Sequence, residues 1–328
     1  MQNDNPLSTM NYETAIKRAE IIQKIRDFFK TRNVFEVETP IMSHGTPADC
    51  HIDVFSTDYR PAGAHQNIGG ETVFLRPSPE FHMKRLLASG YGDIFQIGKV
   101  FRNGEQGRIH NPEFTMLEWY RKNQSMFDCM DETAALIIAV LGKKNIIKKK
   151  YADIFKEATG IDPLYAGMEA VIDHCAARGK THPEFATLSD ALQFAMAEFV
   201  EPGLPHDAIV FVYHYPADQA VLATLEPGDS RVARVAKRFE AYSGGMELVN
   251  GFEELVDWKE NERRQQEENA KRAACGKEQW PVDQAFVDAL KKGLPPCSGA
   301  ALGLDRLVML ALKKQSLEEV LPFTWGKS

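Results

Sequence analysis

The chain has 328 residues, 44% of them hydrophobic and 26% charged, with a net charge of -7. A chain of this make-up buries one large core or two modest ones, which excludes a disordered polypeptide, and its acid excess argues against a protein whose main work is coating nucleic acid. No apolar run is long enough to span a bilayer, and the opening MQNDNPLSTMNYE lacks the basic-then-apolar order of a signal peptide, so a cytoplasmic protein with no membrane partner is expected.

The five cysteines (Cys50, Cys129, Cys175, Cys275, Cys297) are odd in number and never form a C-x-x-C pair, so neither a disulfide framework nor a zinc site is indicated. The neighbours Cys50-His51 and His174-Cys175 could be read as metal ligands. Adjacent residues rarely hold one ion without further partners, and reduced thiols are the better reading.

Residues 14 to 32 set Ile16, Ile21, Ile22, Ile25, Phe28 and Phe29 at helical spacing, which predicts an amphipathic helix; Val34 to Val37 then reads as a short strand stopped by Thr39-Pro40. In SPEFHMKRLL, starting at Ser78, Glu80 opens a helix, where a carboxylate suits the dipole; it could equally be a counter-ion for a cationic substrate. Residues 93 to 120 read as strand, polar loop, strand. Alternation in the second strand puts Phe114, Met116, Glu118 and Tyr120 in one row.

Residues 125 to 200 are expected to be mainly helical, and the run Lys143, Lys144, Lys148, Lys149, Lys150 reads as solvated helix ends or loops, with no assignment made. Residues 209 to 215 and 217 to 225 read as two strands broken at Pro216, and 234 to 250 as a hairpin turning at Gly244-Gly245. That turn sets Tyr242 opposite Glu247 and leaves Glu240 and Glu247 diagonal on one face, a carboxylate pair of the kind that holds magnesium beside nucleotide phosphates; two strand glutamates are also commonly solvated or salt-bridged. Residues 257 to 275 predict a solvated helix and 300 to 314 a final apolar one. Hairpins without regular β-α-β alternation predict an α+β fold, an antiparallel sheet flanked by helices.

Arg102 ends a strand before a loop carrying Arg108, His110 and Asn111, where a guanidinium suits a phosphate oxygen as well as it suits the surface. A G-x-x-x-x-G-K-[ST] loop is absent from the sequence, as are serine-histidine hydrolase motifs. Read this far, the residues indicate a nucleotide and magnesium site on an antiparallel sheet.

Three stretches, FFKTRNVFEVETPIM, VFRNGEQGRIHNPEFTMLEWY and GAALGLDRLVML, resemble in order the three motifs of the class II aminoacyl-tRNA synthetases, and HNPEFTMLE, SPEFHMKRLL and GMELVNGFEEL are similar to the lysyl branch. The resemblance runs over nearly the whole chain. It implies ATP as substrate, with Arg102 on the α-phosphate, Phe114 stacked on adenine, Arg306 on the γ-phosphate, and Asn103, Asn111, Leu248 and Gly303 lining the nucleotide site. It further implies that Glu240 and Glu247 hold Mg2+, that Ser78, Glu80, Tyr120 and Glu254 contact the amino acid, and that the first motif, ending at Pro40, builds a homodimer interface. An acidic pocket suits a lysine-like ammonium.

In this chain the first-motif helix begins within the opening residues, so the expectation is a single catalytic domain over 1–328 with no anticodon-binding domain ahead of it. Free-standing chains of this kind resemble the ligases that activate lysine or (R)-β-lysine and transfer it to the ε-amino group of a lysine of elongation factor P, which makes tRNA an unlikely acceptor. Ala301 stands where lysyl-tRNA synthetases carry glycine, as in those ligases; it is equally accounted for as a core alanine. One departure stands in the second motif: Gly104 occupies the place of a glutamate and Glu105 follows it, so adenine contacts there fall to the backbone that glycine permits. A synthetase-like aminoacylase, a small-molecule amidoligase and a non-catalytic dimeric paralogue remain as alternatives. The retained Arg102, Glu240, Glu247 and Arg306 count against the last.

Overall fold

The structure, a computed structural model, describes residues 8–62, 70–226 and 234–327. The first seven residues of the opening discussed above lie outside the described residues. In chain order, α1 (Tyr12–Lys30), β1 (Phe35–Glu36), β2 (Met42–Ser43), β3 (Phe55–Tyr59), β4 (Glu71–Leu75), α2 (Glu80–Ala88), β5 (Ile94–Phe101) and β6 (Glu113–Lys122) come first. The middle of the chain forms α3 (Met126–Leu141), β7 (Asn145–Lys150), α4 (Tyr151–Thr159), α5 (Met168–Ala177), α6 (Leu188–Ala195), β8 (Ala208–Pro216), β9 (Val235–Ser243) and β10 (Met246–Glu253). It closes with α7 (Trp258–Ala274), α8 (Gln284–Gly293), β11 (Cys297–Gly303) and α9 (Leu304–Ala311). The described residues divide into two compact units: residues 8–123, 256–296 and 301–327 in the first, and 124–255 with 297–300 in the second.

In the first unit α1 starts where the side chain of Asn11 accepts from the Thr14 N–H, and it buries Ile25, Phe28 and Phe29. Phe29 stacks on Phe95 at 4.6 Å between ring centroids and leans on Trp119 at 5.6 Å, which fixes the helix against β5 and β6. The strand expected at Val34 to Val37 is β1, parallel to β5, and β5 pairs antiparallel with β6 so that Gln96 faces Glu118. A second sheet runs β2, β4, β3. On α2, Phe81 stacks on Phe286 of α8 at 4.1 Å, so the start of α2 has a fixed direction.

In the second unit β7 runs parallel to β8, while β8, β9 and β10 pair antiparallel. Its core gathers Tyr151, Phe155, Leu192, Val210 and Val212, all essentially without solvent contact. The hairpin forms as expected, with Tyr242 opposite Glu247, and a bulge after Glu247 then sets Glu240 opposite Asn250.

Four local expectations are corrected. Residues 217 to 225 are not a strand: Ala217–Gln219 make a 3-10 turn, Val221 stands at φ +50, outside the strand region, and only isolated bridges at Ala223 and Leu225 remain. Residues 300 to 303 belong to β11, and the last helix begins at Leu304, because strand pairing at Cys297–Gly303 claims apolar residues that helical spacing would also fit. On α7 the helix is present but one polar face is buried, with Asn269 accepting from the Trp280 N–H at 2.9 Å and donating to the Trp280 carbonyl at 2.8 Å. The lysine run reads neither as helix end nor as loop over 145–150: it is β7, with Lys148 on Asp131 and Lys149 on Glu157. Among the described residues the five cysteines are free, and no helix is long and apolar enough to cross a membrane.

Candidate active site

The residues singled out from the sequence divide between the units. Ser78, Glu80, Arg102, Asn103, Gly104, Asn111, Phe114, Tyr120, Ala301, Gly303 and Arg306 belong to the first, and Glu240, Glu247, Leu248 and Glu254 to the second.

In the first unit, alternation along β6 carries Glu118 and Tyr120 to one side of the strand. Glu118, 2% exposed, accepts the Tyr120 hydroxyl at Oε1 and the Ser78 hydroxyl at Oε2, both at 2.7 Å. The Ser78 Oγ also accepts the Glu80 N–H at 3.0 Å, which ties the start of α2 to β6. Burial above all, and then the neighbouring Glu80, pushes the Glu118 carboxyl up to about 7, against the pull of Tyr120, Ser78 and Lys84. Here are two carboxylates, Glu80 paired with Lys84 at 2.5 Å and Glu118 enclosed, of which the enclosed one suits a substrate ammonium. Sequence reasoning placed Glu118 in the row with Phe114 and Tyr120 without assigning it; the signal that could have found it is its two-residue spacing from Tyr120.

Behind this cluster Arg76, also buried, donates to the Thr39 carbonyl at 2.7 Å and to the Lys99 carbonyl at 3.0 Å, while Thr39 donates to Gln96 at 2.9 Å. A Cβ on Gly98 would lie 2.6 Å from Arg76 Nη2, so glycine there leaves room for the guanidinium. These bonds brace the segment ending at Pro40 against the strands that carry the cluster.

The loop between β5 and β6 is held at its neck, where the Arg102 N–H donates to Pro112 at 2.9 Å and the Asn103 N–H to Asp53 at 2.7 Å. The Arg102 guanidinium lies 5.3 Å from the centre of the Phe114 ring and 3.6 Å from Glu105, and its buried Nε meets no hydrogen-bond acceptor. A cation beside an aromatic face, with a donor to spare, suits a nucleotide phosphate next to a stacked base. Gly104 has φ +84 with nothing within 4 Å of where a Cβ would stand, so the turn, not crowding, explains glycine there.

Asn111 is held at both ends of its amide: it donates to the Glu113 carbonyl at 2.6 Å and accepts the Trp325 N–H at 2.9 Å. Arg306, one turn into α9 after Gly303, donates to the Ile109 carbonyl at 3.2 Å and lies 2.7 Å from His110 Nε2. Burial, and then Arg306 itself, depresses the His110 pKa, which keeps the ring neutral and able to accept from the guanidinium. Asp305 accepts the Thr115 N–H at 2.7 Å and pairs with Arg18 at 2.6 Å, locking α9 to β6. Ala301, next to the buried Ala300 and Leu302, is partly exposed.

In the second unit Glu240 is enclosed by Arg238, whose Nη2 is 2.5 Å from its Oε1, and by the hydroxyls of Tyr215 (2.7 Å) and Tyr242 at Oε2. Its charge is thus already met inside the protein. Glu247 faces Tyr242 across the hairpin, and the bulge that follows turns Leu248 into the core at 2% exposure. Glu254 is buried, with its N–H on the Cys297 carbonyl at 2.9 Å and its backbone bridged to Ala223. The hard carboxylate oxygens of Glu240 and Glu247 fit Mg2+ in donor type; the neutralising Arg238 makes Glu240 the weaker of the two as a ligand.

The chain belongs to the class II tRNA synthetase family that takes in the D, K and N enzymes, whose profile matches residues 7–326. Its curated relatives narrow the branch. The chain is 46% identical over 312 residues to the elongation factor P--(R)-beta-lysine ligase of Sodalis glossinidius, and 44% identical over 315 residues to that of Hamiltonella defensa, each match covering 94% of both chains. To the Yersinia enterocolitica protein of the same name it is 45% identical over 319 residues, 95% of each chain.

Proposed function

We propose that this chain is an ATP-dependent ligase that activates lysine or (R)-β-lysine as its adenylate and transfers the aminoacyl group to the ε-amino group of a lysine of elongation factor P. The observation that carries the reading is the enclosed Glu118 with Ser78, Glu80 and Tyr120 around it, an anionic receptor for a side-chain ammonium. The names borne by relatives covering 94% of the chain support the acceptor.

In the first step the amino-acid carboxylate attacks the α-phosphorus, the bond to the bridging oxygen breaks, and pyrophosphate leaves. Arg102 holds the α-phosphate beside the adenine stacked on Phe114, and Arg306, oriented by neutral His110, meets the terminal phosphate. Asn103, Gly104, Asn111, Leu248 and Gly303 line the nucleotide, and Asn111 also ties down Trp325. Ser78, Glu80, Tyr120 and Glu254 receive the amino acid, and Ala301 borders it. Magnesium bound by Glu247 and Glu240 would draw charge from the phosphates. In the second step the acceptor amine attacks the acyl carbon and AMP departs; no side-chain nucleophile takes part, so positioning and electrostatics carry the rate. The whole chain acts as one catalytic domain, in the cytoplasm where that acceptor works, as a homodimer joined through the segment ending at Pro40. Phe35 in that segment and Met42 just beyond it are 65% and 57% exposed, apolar surface that such an interface would cover.

The test is amino-acid-dependent exchange of pyrophosphate into ATP, with α-lysine and (R)-β-lysine, followed by the mass of elongation factor P after incubation. Exchange together with a mass gain of one lysyl residue is expected. Exchange without the gain moves the acceptor elsewhere, and absence of exchange with either amino acid overturns the reading.

A further inference from the structure

Lys84 is 1% exposed, which is rare for a lysine and demands a partner. Its Nζ lies 2.5 Å from Glu80 Oε1, one helical turn back on α2, and 5.9 Å from the centre of the Tyr120 ring. The helix that carries it is clamped by the Phe81–Phe286 stack, and its first turn is tied through Ser78 to Glu118. A structural ion pair on a helix would sit as well at the surface; this one is enclosed among the groups that form the amino-acid receptor.

We propose that Lys84 is a positioning residue for the amino-acid pocket: its enclosed ammonium holds Glu80 in place and neutralises it, which leaves Glu118 as the carboxylate that meets the substrate cation. The inference rests on the reading of a lysine-like substrate given above. The groups that face Glu118 are Glu80 and Lys84 from α2, Ser78 and Arg76 from the segment leading into it, Gln96 from β5, and Tyr120 on its own strand. Among the titratable groups of this set only Lys84 and Arg76 are cations, and Arg76 is engaged by the Thr39, Pro40 and Lys99 carbonyls. Lys84 therefore favours the charged form of Glu118 against burial and Glu80, both of which favour the protonated one. Because Glu118 titrates near 7, amino-acid binding should tighten as pH rises through that value in the intact protein.

The test follows the KM for lysine and for ATP in pyrophosphate exchange from pH 6 to 9 in the wild type, Lys84→Gln and Lys84→Arg. In the wild type the lysine KM falls as pH rises through about 7. Lys84→Gln keeps a donor for Glu80 but removes the charge, so the fall moves to higher pH, by on the order of one pH unit, while the KM for ATP stays put. Lys84→Arg keeps the wild-type profile. Superimposed profiles for wild type and Lys84→Gln overturn the proposal, and so does an equal displacement by Lys84→Arg, which would make packing rather than charge the cause. If Lys84→Gln does not fold, Glu80→Gln reads the same coupling from the other side: with its partner neutral, Lys84 moves the fall to lower pH, and an unmoved profile overturns the proposal. Wild-type protein without exchange for any amino acid would sink the substrate reading itself, whereas exchange with unresponsive profiles sinks only the role of Lys84.

Discussion

Glu118 holds its proton up to about 7 in the folded chain, above the ordinary 4.5 of a glutamate. Between those values the folded state binds more protons than the unfolded one, so the stability linked to this group is complete below about 4.5 and is lost as pH climbs through 7. A fully buried group makes this worth at most about 3 kcal/mol. Glu118→Gln, which keeps the shape without the charge, should therefore lose less melting temperature between pH 6 and pH 8 than the wild type does, as thermal denaturation reads directly. The same variant should raise the lysine KM by roughly ten- to a hundredfold, because a desolvated charge-assisted contact worth about 1.5–3 kcal/mol is lost. Equal melting shifts in the two proteins would mean that Glu118 is not the group titrating. Glu118 was legible from the sequence only as a member of a row, since what makes it special is the water excluded around it.

At the scale of elements, the β9–β10 hairpin depends on a close approach. A Cβ on Gly251 would lie 2.4 Å from Phe239 Cζ, and Phe239 is fully buried. Gly251→Ala should therefore lower stability by about 1–3 kcal/mol, the usual magnitude of overpacking, with a matching drop in denaturation midpoint. An unchanged midpoint would show that the ring can move aside. The hairpin turn at Gly244-Gly245 was readable because two glycines at positive φ are a local signal, with φ +62 and +75. The bulge after Glu247 was not readable because turn chemistry fixes only the first pair of the hairpin, and the buried face of α7 was not because Arg272 is received by the Asp49 and Ile52 carbonyls, far along the chain. Helical spacing over residues 300 to 314 misled for the same reason: a buried strand and a buried helix share an apolar run, and pairing at Cys297–Gly303 settled it.

Across the whole molecule, the proposed homodimer makes the exposed apolar pair Phe35 and Met42 an interface. The double variant Phe35→Glu, Met42→Glu should shift the protein from dimer to monomer mass in light scattering while its circular dichroism stays unchanged. A dimer that survives both charges would place the interface elsewhere.

By itself the sequence determined the class of fold and the hairpin register at Tyr242 and Glu247, because these rest on local periodicity, turn chemistry and motif order. Only the tertiary structure decided the charge environments: that Glu118 is enclosed, that Arg238 already meets Glu240, that burial and the adjacent Arg306 hold the His110 pKa down, and that Lys84 lies buried against Glu80. A protonation state depends on how much water is excluded and which charges lie within a few ångströms, and neither quantity is written along the chain.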